Sequence, residues 1–467
     1  MKLNPQRFFD PDPTIRKIAT ELYESIKNLP IISPHGHVDP KLFSENKPFP
    51  NPAELFIIPD HYIFRMLYSQ GIPLESLGIP TVDGSAVEKD PRKIWQIFAD
   101  NFYLFAGTPS GVWLSHELYE VFKVSCELDS DNAQKIYDEL QEKLNSPEYL
   151  PRNMFDSFNI ELISTTDAAE DDLQAHKDIK NSDWNGNVIP SFRPDSVTDI
   201  ARPDWLQSIG KLSEITGKEI TKYSDLMRAL KDRRKYFIEN GAKATDQGVL
   251  SPYTHLLTEV DAERIFHKAL CGEQTQSDAD AFTANIMMKM AEMSLEDGLV
   301  MQIHPGVLRN HNQRIFNIFG LDKGCDIPIQ VEYTKNMQEL LSRFGNKPNL
   351  KIILFTLDED VYSRELAPLA GHYPTLKLGP AWWFNDSIEG MTRFRERVTE
   401  TAGFYNTVGF NDDTRAFPSI PARHDVARRV DANFLASKVA RHIISQKEAE
   451  KIIKALTYDL VKEAYNL

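Results

Sequence analysis

A chain of 467 residues with 41% hydrophobic and 26% charged residues has the composition of a globular protein with a sizeable core. Its net charge of −15 argues against a general nucleic-acid or anionic-membrane binder. A small anion held by a local group of arginines stays possible. The three cysteines, Cys126, Cys271 and Cys325, lie far apart without a Cys-x-x-Cys, so neither a disulfide framework nor a cysteine metal site is expected. With no apolar signal core in Met1 to Pro13 and no run of membrane-spanning length, a cytoplasmic setting is expected.

The first element is a helix. Asp12 suits its N-cap and Pro13 its first position, and Ile15, Ile18, Leu22 and Ile26 form one apolar face. Next comes a short apolar strand, Ile31 to Ser33, running into Pro34-His35-Gly36-His37. On an extended backbone residues i and i+2 share a side, so both imidazoles can reach one cation.

Residues 39–157 break the rhythm. They hold Pro-rich stretches (Lys47 to Pro52, Ile72 to Pro80) and aromatic-rich helical stretches (Trp95 to Phe105, Val112 to Phe122). With the polar helix Asp131 to Leu144 they read as a large, mostly helical insertion after the first strand. Its exposed faces offer a surface on which subunits of a homo-oligomer could pair.

From residue 160 the rhythm becomes strand, helix, strand. Strand-like runs are Ile160 to Thr166, Asn187 to Arg193, Ala242 to Asp246, Leu299 to His304, Lys351 to Thr356, Leu376 to Pro380 and Thr407 to Asp413. Helices are expected at Ser224 to Asn240, stopped by Gly241, and at Ala279 to Leu295. With the first strand there are eight, which predicts an α/β fold, a parallel (β/α)8 TIM barrel of residues 1–38 and 158–467 around the insertion. A doubly wound open sheet is the alternative, but no Gly-x-Gly-x-x-Gly follows an early strand.

Barrel enzymes carry their chemistry at the carboxyl ends of the strands. Polar residues gather there: His35 and His37, Asp167, Arg193, Asp246, His304, Trp382 and Trp383, then Asp413 with Arg415 just beyond. Two imidazoles, a third from another strand and one carboxylate make a set for a divalent metal, here His35, His37, His304 and Asp413.

These residues resemble the uronate isomerases, an outlying branch of the metal-dependent amidohydrolase superfamily. The similar segments are His35-Gly36-His37 with Asp39-Pro40, Asp60-His61-Tyr62-Ile63-Phe64-Arg65-Met66, Thr165-Thr166-Asp167 and Phe192-Arg193-Pro194-Asp195. They continue with His304 to Asn310, Trp382-Trp383-Phe384-Asn385-Asp386, Asp413-Thr414-Arg415-Ala416-Phe417, Arg423-His424 and Arg428-Arg429. The pattern departs from the family where Gln247 follows Asp246 in place of a histidine, where Pro305 follows His304, at Pro34, and in the ending Thr457-Tyr458-Asp459-Leu460.

The resemblance implies interconversion of an aldohexuronate and its ketose, glucuronate with fructuronate or galacturonate with tagaturonate, through an enediol. It also implies a divalent metal, zinc by the family's habit and loosely held, and a sugar acid as the binding partner. Asp413 is expected both to bind metal and to move a proton, and Arg415 to steady it or the enediolate. Tyr62 and His61 are expected to fold over the barrel mouth, Tyr62 relaying a proton and His61 binding substrate. Arg193 and Arg309 suit a carboxylate, Trp382 or Trp383 a sugar face, with Asp246 and Gln247 as further substrate contacts. The acidic run Glu170-Asp171-Asp172 reads as a solvated helix start. A competing function on the same barrel is a metal-dependent hydrolase of an amide, lactone or ester. It needs a bridging ligand from the fourth strand, where only Lys243 and Asp246 are on offer. A sugar-acid binding protein without catalysis is a third reading, disfavoured by His35, His37, Asp413 and Arg415 together.

Overall fold

Short parallel strands, buried on both faces, set the frame of the computed structural model, which describes residues 2–467. They are β1 (Ile31–Ser33), β2 (Ile160–Ser164), β3 (Asp167–Ala168), β4 (Val188–Ile189), β5 (Phe192–Arg193) and β6 (Ala244–Val249). After them come β7 (Val300–Pro305), β10 (Ile352–Leu354) and β11 (Leu376–Leu378), and apart from these a more exposed antiparallel pair, β8 (Val307–Leu308) and β9 (Ile327–Pro328). One parallel sheet runs β1-β2-β4 and a second runs β11-β10-β7-β6-β5-β3.

The second and third expected strands are each split between the two sheets. Pro190, which has no N–H to give, falls in the gap between β4 and β5. The ladder still crosses that gap, from Thr165 N to Ile189 O at 2.9 Å and from Asp167 N to Ser191 O at 3.0 Å. The eighth strand, expected over Thr407 to Asp413, shrinks to one bridge between Leu378 and Thr407. Gly409 explains this: its φ of 80° ends the extended run, and a Cβ there would stand 2.5 Å from Leu456 O. The ring's two ends meet where His37 N donates to Thr414 O at 2.9 Å.

Alternation along the strands separates an inner from an outer layer. Ile32, Leu162, Ala244, Val300, Ile353 and Val408 form the interior cluster, joined by Val461, Ala464 and Tyr465 from the last helix. Tyr465 OH donates to Gln302 Oε1 at 2.8 Å, so the floor of the interior is closed by a hydrogen bond as well as by packing. Met301, Ile303 and Leu354, one residue out of step, pack with the surrounding helices instead. β6 and β7 pair over six positions, with Asp246 opposite Gln302 and Gly248 opposite His304.

The opening helix spans Pro13–Ile26. Asp12 caps it by accepting from Thr14 N and Ile15 N, and Leu22 and Ile26 bury against Leu435 of the helix Ile420–Ala440. Residues 39–157 hold helices and no strand among the described residues, among them His61–Ser69, Pro91–Asp100, Pro109–His116 and Ala133–Leu144. Their core, with Phe43, Trp95, Phe98 and Phe122, runs without a break into Ile31, Ile163, Val188 and Ile420. The antiparallel hairpin β8–β9 is a feature the sequence did not announce; two-residue strands leave no period to read. Among the described residues, no helix is long and apolar enough to cross a membrane.

Candidate active site

At the carboxyl ends of the strands lies a cavity of about 830 Å³, walled by His35, Arg193, His304, Trp382 and Asp413 among others. His35 stands two residues past β1, His304 near the end of β7, and Asp413 after the bridge that closes the ring. One ligand atom from each of these three lies within 4.8 Å of the others. The imidazoles of His35 and His304 stack with centroids 4.5 Å apart. Asp413 Oδ1 is 3.4 Å from His35 Nε2 and 3.1 Å from His37 Nε2. His37, expected in the same ligand set, thus flanks the group through Asp413 and is not part of the three-way cluster.

Three buried polar atoms in this group, His35 Nδ1, His304 Nε2 and Asp413 Oδ1, have no hydrogen-bond partner. Leaving such atoms unsatisfied costs about 1–3 kcal/mol each. With one ligand atom each from two imidazoles and a carboxylate within 4.8 Å of one another, the residues fit a divalent cation.

The group is braced from behind. Asp413 Oδ2 accepts from Trp382 Nε1. Its backbone sits in the left-handed region at φ 41°, a conformation that stores strain and is typically kept at functional positions. Burial pushes the Asp413 carboxyl up, but His35 and His37 outweigh it and hold the group well below the usual carboxylate range. On the other side His304 Nδ1 lies 2.7 Å from Asp246 Oδ1. That hydrogen bond leaves Nε2 as the free nitrogen, the arrangement by which a carboxylate orients a metal-binding histidine. Burial raises Asp246, and Arg193, His304 and His35 in that order overcome it, so it stays ionised.

Arg193 is itself occupied. Its Nε donates to Asp195 Oδ2 at 2.7 Å and its NH1 lies 3.2 Å from Asp246 Oδ2. Asp195 also accepts from Gly248 N at 3.0 Å, tying β5 to β6. The fork expected to meet a substrate carboxylate therefore spends two of its arms on protein carboxylates.

The mouth is built from other segments. His61 and Tyr62 begin the helix His61–Ser69, where Asp60 caps by accepting from Tyr62 N, and both reach the cavity. Burial, and then the charge of Arg415, pushes His61 down to about 3, so its imidazole is neutral at pH 7. Burial also raises the Tyr62 phenol, keeping it protonated. Trp383, at φ 51°, stacks on Phe384 and carries the Arg309 guanidinium 5.3 Å from its ring centre. Arg309 and Arg415 both line the cavity and are both partly exposed.

Three expectations change. Gln247 does not touch the cavity: on β6 it points the opposite way from Asp246, into the helix layer, where its Nε2 donates to Thr245 Oγ1 at 2.8 Å. Trp382 is 4% exposed and serves as a hydrogen-bond donor to Asp413, while Trp383, also on the cavity wall, is less buried. Asp167 faces outward too, accepting from Thr165 Oγ1 at 2.7 Å, and burial pushes it up to about 7. Lys243, the other fourth-strand candidate for a hydrolase, is exposed just before β6.

Sequence reasoning gave no role to Arg423 and Asp386. Arg423 is 1% exposed, lies 3.6 Å from the Trp113 ring centre, and donates to Asp386 Oδ2 at 2.7 Å. It thereby ties the insertion, the loop after β11 and the last long helix around Tyr62. Only the neighbouring motif residues hinted at this, since the partners lie 37 positions apart.

A parallel α/β barrel whose rim gathers two imidazoles and a carboxylate beside arginines is an enzyme scaffold for a small anionic substrate at a divalent-metal type of site. The comparisons with known proteins narrow this. The model of the glucuronate isomerase family matches residues 8–465. A uronate isomerase of Phenylobacterium zucineum is 52% identical over 467 residues, covering all of this chain and 97% of that protein. The crystal structure of glucuronate isomerase from Caulobacter crescentus superposes with a TM-score of 0.98 at 50% identity, over 100% of this chain and 97% of that one. The uronate isomerase structure from Thermotoga maritima gives 0.92 at 27% identity, with both chains fully covered. The chain belongs to the glucuronate isomerase family. It is an isomerase of hexuronates, so the hydrolase alternative falls away.

Proposed function

We propose that the chain converts glucuronate to fructuronate and galacturonate to tagaturonate with Asp413 as the proton-moving group. The observation that carries this reading is the state of Asp413: one oxygen fixed by Trp382, the other turned toward His35 and His37 at the cavity wall, the carboxyl ionised. His35, His304 and Asp413 would hold the metal, with His37 beside Asp413. A divalent cation held there, zinc by the habit of the family, would supply Lewis-acid polarisation of the substrate carbonyl.

The open-chain sugar lies with C1 and C2 at Asp413 and its carboxylate toward Arg309. Asp413 takes the proton from C2, the C–H electron pair forms the C1=C2 bond of the enediol, and the carbonyl pair moves onto O1. Arg415, two residues on, faces the charge that develops on the oxygens. Tyr62 carries the hydroxyl proton from O2 to O1, Asp413 returns its proton to C1, and C2 becomes the carbonyl. His61, neutral, donates or accepts a hydrogen bond to a sugar hydroxyl, and Trp383 covers one face of the chain. Asp246 orients His304, and Arg193 acts mainly by holding Asp246 in place.

The insertion of residues 39–157 is read as a module that delivers His61 and Tyr62 to the barrel mouth. Exposed Val82 and Tyr103 on it support a face for self-association, and the three free thiols suit a reducing cytoplasm. The test is to incubate the purified, metal-analysed protein with each sugar and follow ketose signals by proton NMR. Ketose from either sugar, lost in Asp413→Asn, supports the assignment. No conversion of either one sinks it.

A further inference from the structure

The loop between β8 and β9 carries a carboxylate that no step above uses. Asp322 lines the cavity, with its backbone in the left-handed region at φ 60°. Its Oδ2 accepts a hydrogen bond from Arg415 at 3.0 Å, and its Oδ1 lies 4.0 Å from Arg309 NH1. Arg309 has a closer partner, Asp326 Oδ2 at 2.7 Å. Arg415 has no second ion pair among the described residues, so Asp322 is what holds it.

Two fastenings keep Asp322 where it is. Gly324, at φ 71°, sits so close to the helix His61–Ser69 that a Cβ would stand 2.6 Å from Arg65 Cβ and 3.1 Å from His61 O. On the other side Asp326 accepts from Asn310 N at 2.8 Å as well as from Arg309. The loop therefore spans from the helix that carries His61 and Tyr62 to the arginine two residues past Asp413. An arginine that is 41% exposed has many rotamers open to it unless something chooses one. A carboxylate beside an anionic substrate is unfavourable, and its charge is tolerated here because Arg415 consumes it.

We propose that Asp322 is a positioning residue for the isomerisation, holding the Arg415 guanidinium over the reacting carbons. The proposal rests on the role given to Arg415 above. Asp322→Asn is expected to lower kcat about tenfold with KM within about twofold, and Asp322→Glu to recover most of the loss. In an Arg415→Lys background, Asp322→Asn should add no more than about twofold, because both changes remove one interaction. Unfolding midpoints equal to the parent's exclude a folding defect as the cause. If Arg415→Lys leaves kcat intact, the reading of Arg415 itself fails, and with it this inference. If Arg415→Lys slows the enzyme while Asp322→Asn changes nothing, raises KM alone, or multiplies fully with Arg415→Lys, the inference about Asp322 falls alone.

Discussion

Asp413 Oδ2 is held by Trp382, while Oδ1 is left toward His35 and His37. A positioned carboxylate that moves a proton is worth about 10²–10⁴ in rate. Asp413→Asn should therefore lose kcat by that factor in steady-state assays with either sugar, with a far-ultraviolet spectrum like the parent's. Trp382→Phe keeps the apolar bulk and removes only the donor. A hydrogen bond to a charged group is worth about 1.5–3 kcal/mol, so kcat should fall about 10- to 100-fold. Asp246→Asn acts one shell further out, through His304. Loss of such a partner weakens metal binding about 10- to 100-fold, which competition with a chelator would measure. At this scale the sequence was informative where chemistry repeats in a short span, as in His35-Gly36-His37, and at strand ends such as His304. It misled at Gln247, because adjacent residues on a strand face opposite ways and one residue of uncertainty in register swaps wall for outside. It was silent on Asp322 and gave Arg423 no role, because their partners come from distant segments.

Strands as elements show the same division. Eight runs were legible because parallel strands buried on both faces read as continuous apolar stretches. Their lengths were not legible: Pro190 splits one, and Gly409 reduces the last to a single bridge. The hairpin β8–β9 escaped because its residues carry no period, though its loop brings Asp322 to the cavity. The last helix, Leu460–Tyr465, closes the interior from below through Tyr465 and Gln302. Tyr465→Phe leaves the ring in place and strands the Gln302 oxygen. Unfolding in urea should show a loss of about 1–3 kcal/mol, with activity per folded molecule unchanged.

For the whole molecule, buried imidazoles link stability to pH. His116, on the insertion helix Pro109–His116, is pushed down to about 4 by burial, against the partial help of Asp425. Below about pH 6.5 the unfolded chain takes up a proton that the folded chain refuses until about pH 4. This group therefore makes stability fall as pH drops through that window, by at most about 1.4 kcal/mol per pH unit. Denaturant titrations at pH 7 and pH 5 should show the parent losing more stability than His116→Asn between the two.

The central claim is that a carboxyl at the barrel rim shuttles a proton between C2 and C1. Asp413 is 12% exposed at an open cavity, so the proton it takes from C2 exchanges with water while the enediol is bound. Run in deuterated water and read by NMR, the ketose formed from unlabelled glucuronate should carry solvent deuterium at C1. A ketose with no deuterium at C1 that also forms at an undiminished rate in Asp413→Asn would mean the hydrogen moves without this carboxyl, and would contradict the account.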